Sequence, residues 1–331
     1  MYYVGLDVHK EFCQASVLDE SGDELSNIKV PTRKEELESF LAGFEDARFV
    51  LESTGVWEFV YGIVESKGFE VLLAHPMKVK AISSAKVKTD KVDARTLAQL
   101  LRMDMIPSSY VPDKQVRDIR ELVRHRKALV EKTTAFKNRV KAELLRRGIR
   151  RPEELKTSWS DKSVQWMRSL DILVVNSNLD VIEALQAQIK AINDRLFPEF
   201  LRNRDAKLIS TIPGIGYYGA MLIASEIDDV HRFADAQHLC SYAGLVPSVH
   251  QSSNVAYYGR ISKQGSRHLR WILTEAVHIH VVNEPDSQLT RFFLRVARKK
   301  GRQVATVATA RKMLTAIYWM LFNQEEFKVT G

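Results

Sequence analysis

Only two of the 331 residues are cysteine, Cys13 and Cys240, and neither has a partner at metal-ligand spacing. Their apolar surroundings, EFCQASV and HLCSYAG, mark both as small buried hydrophobes, which argues against a disulfide framework or a zinc site. No apolar run approaches the ~18 residues that a bilayer-spanning helix requires. The start, MYYVGLDVHK, lacks the basic-then-apolar order of a signal peptide, so a cytoplasmic protein without membrane association is expected. With 45% hydrophobic and 27% charged residues, wholesale disorder and fibrous repeats are excluded as well.

Basic charge is plentiful and concentrated. Lys and Arg number 49 against 41 Asp and Glu, a formal charge of +8. From Lys114 to Arg151 alone there are 14 Lys or Arg and 4 Asp or Glu, an excess larger than that of the whole chain. Each cation that neutralises a phosphate releases a condensed counterion, so this segment is expected to bind nucleic acid, with Arg124, Lys127 and Arg139 as candidate contacts. The bland alternative is a solvated helical face. A later stretch, RFFLRVARKKGR, adds six cations between Arg291 and Arg302 and suits phosphate contact or solvation equally.

The hydrophobic pattern divides the chain into three regions, 1–112, 113–205 and 206–331. YYVGLDV, FCQASVL and LSNIKVP are β-rich runs separated by polar turns and predict an antiparallel meander. A helix carrying Leu37, Phe40, Leu41 and Phe44, a strand RFVLEST, a second helix ending near Gly68 and a strand FEVLLAHP complete an α/β unit of RNase H-like order. From Asp113 to Gly148 a long helix runs without Pro or Gly. A second helix, near Leu179 to Leu196, repeats apolar spacing through Ile182, Leu185, Ile189 and Ile192, so the two are expected to pack as an antiparallel coiled-coil arm. The remainder is expected to be mainly helical.

Four acids interrupt or open these elements. Asp7 and Glu52 lie at the ends of two apolar strands, while Asp90 and Asp93, in KTDKVDARTLAQLLR, lie on nearly one side of a helix's first turn. Singly, each suits a strand end or a helix N-terminus, where acids are favoured by capping and by the helix dipole. As a set they supply the hard oxygen ligands that Mg²⁺ or Mn²⁺ needs, and two such ions clamp the attacking and leaving oxygens of a phosphodiester.

Two further segments bear on phosphate chemistry. LISTIPGIGYYGAMLIASEI has the form helix, turn, helix, in which Gly214 and Gly216 would let backbone approach a phosphate beside a helix N-terminus. An ordinary helix-to-helix turn would use the same residues. In the segment from Gln251 to Arg270, the cations Arg260, Lys263, Arg267 and Arg270 surround Ser252 and Ser253 with no acid among them, in what is expected to be a polar loop. A serine without an activating base is a poor nucleophile, and local chemistry alone does not make either one catalytic.

GLDVHK, LESTG and KTDKVDARTLAQLL resemble the DEDD motif of the RuvC-like domain in transposases of bacterial insertion sequences, specifically the family numbered one hundred and ten with its Piv-type DNA invertase relatives. AGLVP, QSS, GRISKQG and LRWIL resemble the C-terminal domain of the same family. The resemblance implies a metal-dependent cluster of Asp7, Glu52, Asp90 and Asp93. It also implies a DNA-joining serine at Ser252, with Ser253 standing where that family usually has Gly. It further implies a dimer or tetramer whose two centres meet between protomers, acting on double-stranded donor and target DNA selected by a structured non-coding bridge RNA. A hydrolytic RuvC-like junction nuclease, with Ser252 structural, and a non-catalytic nucleic-acid-binding scaffold are the alternatives.

Overall fold

The structure, a computed structural model, describes residues 1–82, 89–252 and 255–328. It divides into two units, Met1–Val111 and Pro112–Gly331.

In the first unit the β-rich runs form β1 (Tyr2–Val8), β2 (Phe12–Leu18) and β3 (Glu24–Pro31), followed by α1 (Lys34–Leu41), β4 (Ala47–Glu52), α2 (Trp57–Ser66), β5 (Glu70–Ala74), α3 (Pro76–Ile82), α4 (Asp90–Arg102) and the short β6 (Ser108–Ser109). The sheet order is β3-β2-β1-β4-β5-β6. β1, β2 and β3 pair antiparallel as a meander, whereas β1 with β4 and β4 with β5 pair parallel.

Strand alternation gives the sheet two different faces. Val4, Leu6 and Val8 of β1, with Phe49 and Leu51 of β4, join Leu37 and Leu41 of α1 and Val60, Ile63 and Val64 of α2 in one core. The opposite face packs Val50 and Ala74 against Leu97 and Leu101 of α4. On that second face, Gly5 pairs with Ser16 and Asp7 with Gln14, so polar side chains line it between β1 and β2.

The second unit opens with α5 (Lys114–Arg146), α6 (Asp161–Ser169) and α7 (Leu173–Arg202). At 33 residues, α5 is about 50 Å long. It pairs antiparallel with α7: Val140 and Leu144 meet Val175, Leu179 and Ile182 together with Met167 of α6, while Val123 and Leu196 enter the core of the C-terminal helices. α7 extends further at both ends than its apolar spacing predicts, continuing through Pro198. Leu196 and Phe200 on either side of that proline pack into the core, and their burial outweighs the backbone hydrogen bond that proline forgoes.

There follow α8 (Arg204–Ser210), α9 (Tyr217–Ile227), α10 (Ala236–Tyr242), β7 (Pro247–Ser252), β8 (Val255–Ile261), α11 (Arg267–Asn283), α12 (Gln288–Lys300) and α13 (Arg302–Asn323). α9 is apolar nearly all round and buried from Gly219 to Ile227, so it forms the axis of this bundle. The first part of the segment expected as a polar loop belongs instead to a β-hairpin of β7 and β8, whose β-branched and aromatic residues favour extended backbone, and its last residues open α11. Both cysteines are buried and free, as their sequence contexts predict.

Candidate metal centre and nucleic-acid interface

Two strand ends and one helix start position the four acids, of which only Asp7 and Asp90 bring ligand atoms into one metal-sized group among the described residues. Asp7 is the penultimate residue of β1, and Glu52 ends β4. The last matched pair of these parallel neighbours is Leu6 with Leu51, so Asp7 and Glu52 take the next adjacent positions. Asp90 and Asp93 open α4, where the Thr89 side chain accepts a hydrogen bond from the Val92 N–H at 3.3 Å.

Gly5 sets how closely α4 approaches the sheet. A Cβ at this position would lie 2.1 Å from the Ala94 carbonyl oxygen and 2.5 Å from the Ala98 nitrogen, so only glycine admits the helix backbone. Two residues on, Asp7 shares that face of β1, and one turn back from Ala94 lies Asp90. Gly5→Ala is therefore expected to push α4 from the sheet, with a loss of at least the ~1–3 kcal/mol typical of overpacking. Urea denaturation measures the loss; an unchanged midpoint would refute the close approach.

An imidazole absent from the sequence-based set joins Asp7 and Asp90. His9 Nε2 lies 3.1 Å from Asp7 Oδ2 and 3.6 Å from Asp90 Oδ1. One ligand atom from each of Asp7, His9 and Asp90 falls within 4.8 Å of the others. Burial pushes the Asp7 carboxyl above its ordinary value; His9 partly offsets this, while the negative charges of Asp90 and Asp93 add to the rise. Such a group gains when a cation arrives.

The neighbouring amide supports the same fit. Gln14, opposite Asp7 on β2, is fully buried. Its Nε2 donates to Asn27 Oδ1 at 2.6 Å, and Asn27 must present that oxygen because its own Nδ2 donates to Glu24 at 2.6 Å and to the Lys91 carbonyl at 3.2 Å. Gln14 Oε1 is thereby left without a hydrogen-bond partner among the described residues. A donor such as a metal-bound water would satisfy it. The donor set of carboxylates, imidazole and a spare amide oxygen fits a divalent cation.

The basic arm is divided between structural and exposed cations. Near its base, Arg120 donates twice to the Ser225 carbonyl, at 2.9 and 2.6 Å, and Arg124 contacts Glu226 Oε1 at 2.7 Å. Arg232 donates to the Ile227 carbonyl at 3.0 Å. Three guanidinium groups thus meet the carbonyl-rich, negative end of α9. Glu226 itself is fully buried and also accepts from Ser266 Oγ at 2.9 Å. Burial alone would raise its carboxyl, but Arg124, Arg120 and Ser266 outweigh burial and hold it below the ordinary value.

Lys127 is likewise engaged, with Glu131 and over the Trp271 ring at 4.6 Å. Arg139 is exposed, its guanidinium 5.0 Å from the Phe136 ring. The candidates Arg124 and Lys127 therefore have partners within the fold, whereas Arg139 presents its charge to solvent. Arg139→Glu is expected to weaken nucleic-acid binding and to lower the slope of log affinity against log salt by about 1, without loss of stability. Fluorescence anisotropy across a salt series measures both; an unchanged slope would return Arg139 to the solvated face.

The two glycines of the PGIG turn have different surroundings. Gly214, at φ 99°, packs on α11, where a Cβ would meet the Ala276 oxygen and the His280 nitrogen at 2.9 Å. His280 Nδ1 lies 2.8 Å from the Pro213 carbonyl oxygen and fixes the turn there. Gly216, at the start of α9, is exposed, with nothing within 4 Å of a Cβ. Gly214 thus holds the turn on α11, and Gly216 is the position open to a ligand.

Ser252 ends β7, its backbone paired with Val255 at the hairpin tip. Its side chain and the whole of Ser253 lie outside the described residues. Arg260 lies toward the base of the hairpin, where its carbonyl accepts from Ser248 Oγ at 3.2 Å. Five positions along a strand is about 17 Å, so Arg260 does not share the tip with Ser252. Lys263 and Arg267 follow beyond the base and are exposed. Arg270 is instead turned inward, donating to the Ala243 carbonyl at 2.8 Å.

Comparison with known families finds two matches. Residues 4–147 match a model of DEDD transposases of the IS110 kind, described as Transposase, and residues 206–292 match the Transposase IS116/IS110/IS902 family. Among individual relatives, the transposase for insertion sequence element IS1111A of Coxiella burnetii is 26% identical over 98% of this chain and 91% of its own length. The transposase for insertion sequence element IS1533 of Leptospira borgpetersenii is 25% identical over 94% and 92%. The pilin gene-inverting protein of Moraxella bovis is 28% identical over 84% and 81%.

Proposed function

The chain belongs to the transposase family of IS110, IS116 and IS902, enzymes that cleave and rejoin DNA, and from that premise we propose that it is an insertion-sequence recombinase with two chemical centres. The first is the acid cluster of Asp7, Glu52, Asp90 and Asp93. The second is Ser252 on the β7–β8 hairpin. The observation that carries the proposal is the convergence of Asp7, on a strand, with Asp90, on a helix distant in sequence, around one cation-sized position. The strand order and mixed pairing of β1 to β5 support an RNase H-like, RuvC-like fold for residues 1–112.

A divalent ion, Mg²⁺ or Mn²⁺, would supply Lewis-acid polarisation of a phosphodiester oxygen when held by these carboxylates. The residues themselves have separable tasks. Asp7 and Glu52 lie at adjacent strand ends, α4 brings Asp90 to Asp7, and Glu52 and Asp93 would complete the carboxylate set. Ser252 Oγ attacks phosphorus: a serine–phosphate bond forms as the phosphorus bond to a sugar oxygen breaks, and the serine proton is released to a base. Reversal by the hydroxyl of another strand rejoins the DNA with no net consumption of water. The exposed cations Arg139, Arg260, Lys263 and Arg267, with the backbone at Gly216, bind phosphates.

The arm of residues 113–205 and the C-terminal domain of residues 206–331 would then hold donor and target DNA together with a structured bridge RNA. Assembly as a dimer or tetramer would let the acids of one protomer serve the serine of another. Incubating the full-length protein with its co-purified RNA and supercoiled DNA carrying the element ends tests the enzyme reading. Recombinant joints should appear with Mg²⁺ or Mn²⁺ and disappear with a chelator. Joints at the wild-type rate in excess chelator would exclude the metal centre.

A further inference from the structure

His9 is held in place from its backbone and its ring. It follows β1 directly, and its N–H donates to the Phe12 carbonyl at 2.9 Å, closing the turn into β2. Thr32 Oγ1 donates to the His9 carbonyl at 2.9 Å. The imidazole rests on the Phe12 ring, with centroids 4.9 Å apart. Backbone, side chain and neighbour together aim Nε2 at the space between Asp7 and Asp90.

That placement matters because nitrogen and oxygen donors select different metals. Mg²⁺ favours an all-oxygen octahedron and keeps its waters, whereas Mn²⁺ and later divalent ions bind imidazole more readily. We infer that His9 is a nitrogen ligand of the acid-cluster metal and tilts the site toward Mn²⁺ over Mg²⁺. The inference rests on the proposed metal centre and adds to it a residue that decides which ion is held.

Full-length wild type, His9→Ala and Asp7→Asn are to be titrated with Mn²⁺, with free ion followed by electron paramagnetic resonance, and with Mg²⁺ by calorimetry. Pulsed resonance of the Mn²⁺-loaded proteins reads nitrogen coupling directly and is independent of DNA chemistry. Wild type should show ¹⁴N coupling that His9→Ala lacks. Removing His9 should weaken Mn²⁺ binding about tenfold, the scale on which ligand-shell changes alter metal affinity, and Mg²⁺ binding by less than about twofold. Asp7-dependent Mn²⁺ binding without ¹⁴N coupling overturns the role of His9 and leaves the acid cluster standing, as does equal weakening for both metals. Metal binding indifferent to Asp7→Asn overturns the cluster itself, and this inference with it.

Discussion

Asp7→Asn is expected to lower recombination by at least ~10²–10³-fold, the cost of removing one preorganised charge-stabilising group, while leaving the metal-free protein as stable as wild type or slightly more so. The two effects part because Asp7 is buried and faces Asp90 and Asp93, so its charge is disfavoured until a cation is present. Asparagine keeps the shape and the acceptor oxygen toward His9. Thermal melts with and without Mg²⁺, beside a recombination assay, separate the outcomes. The wild type should gain stability on adding metal and the variant should gain less. An inactive variant that is also clearly less stable than wild type in the absence of metal would make Asp7 a structural residue.

Arg124→Ala should lower stability by about 3 kcal/mol. It strands the fully buried Glu226 with a hydroxyl as its remaining side-chain hydrogen-bond partner among those described. The figure is taken at the low end for buried pairs because Arg124 keeps solvent on one side, with 42% of its side chain exposed. The sign with pH follows from the depressed Glu226 carboxyl. Its native value lies below the unfolded 4.5, so the pair's contribution is present above that pH and is lost as pH falls through the native value. Leucine at both positions removes charge and partner together and should restore much of the stability with a shallower acid limb. Urea melts between pH 3 and 7 measure both. A single variant as stable as the double leucine variant would show that the pair carries nothing.

Much of this arrangement is legible in the residues alone. The meander, the two helices packed beneath the sheet and the long arm follow from alternation and apolar spacing, because each has one buried face and one solvated face. Asp7, Glu52, Asp90 and Asp93 stand out because each interrupts or opens an apolar element. Other features escape local patterns. His9 acts through a strand turn that brings it beside a helix eighty residues later. Gly5 looks like any strand glycine until α4 is packed on it. Glu226 has a signal, an acid inside the mainly apolar MLIASEI, but its partners Arg124 and Ser266 lie far away along the chain. Charge counting cannot separate Arg120 and Arg124, which meet the end of α9, from Arg139, which faces solvent. The VAYYGRI strand is expected as part of a polar loop because serines, glycines and cations dominate the segment, although its aromatic and β-branched residues favour extended backbone.

The claim that two centres act on one DNA bond is tested most directly by trapping the protein on its substrate. End-labelled DNA carrying the element's junction, incubated with protein, guide RNA and Mn²⁺, is run on a denaturing gel with and without protease. Wild type should give a retarded, protease-sensitive band. Ser252→Ala should remove that band and strand exchange together, Asp7→Asn should remove both as well, and Ser253→Ala should leave both in place. Cleavage that persists in Ser252→Ala as free DNA ends, with no retarded band from wild type under Mg²⁺ or Mn²⁺, would contradict the account and leave a metal-dependent hydrolytic nuclease in its place.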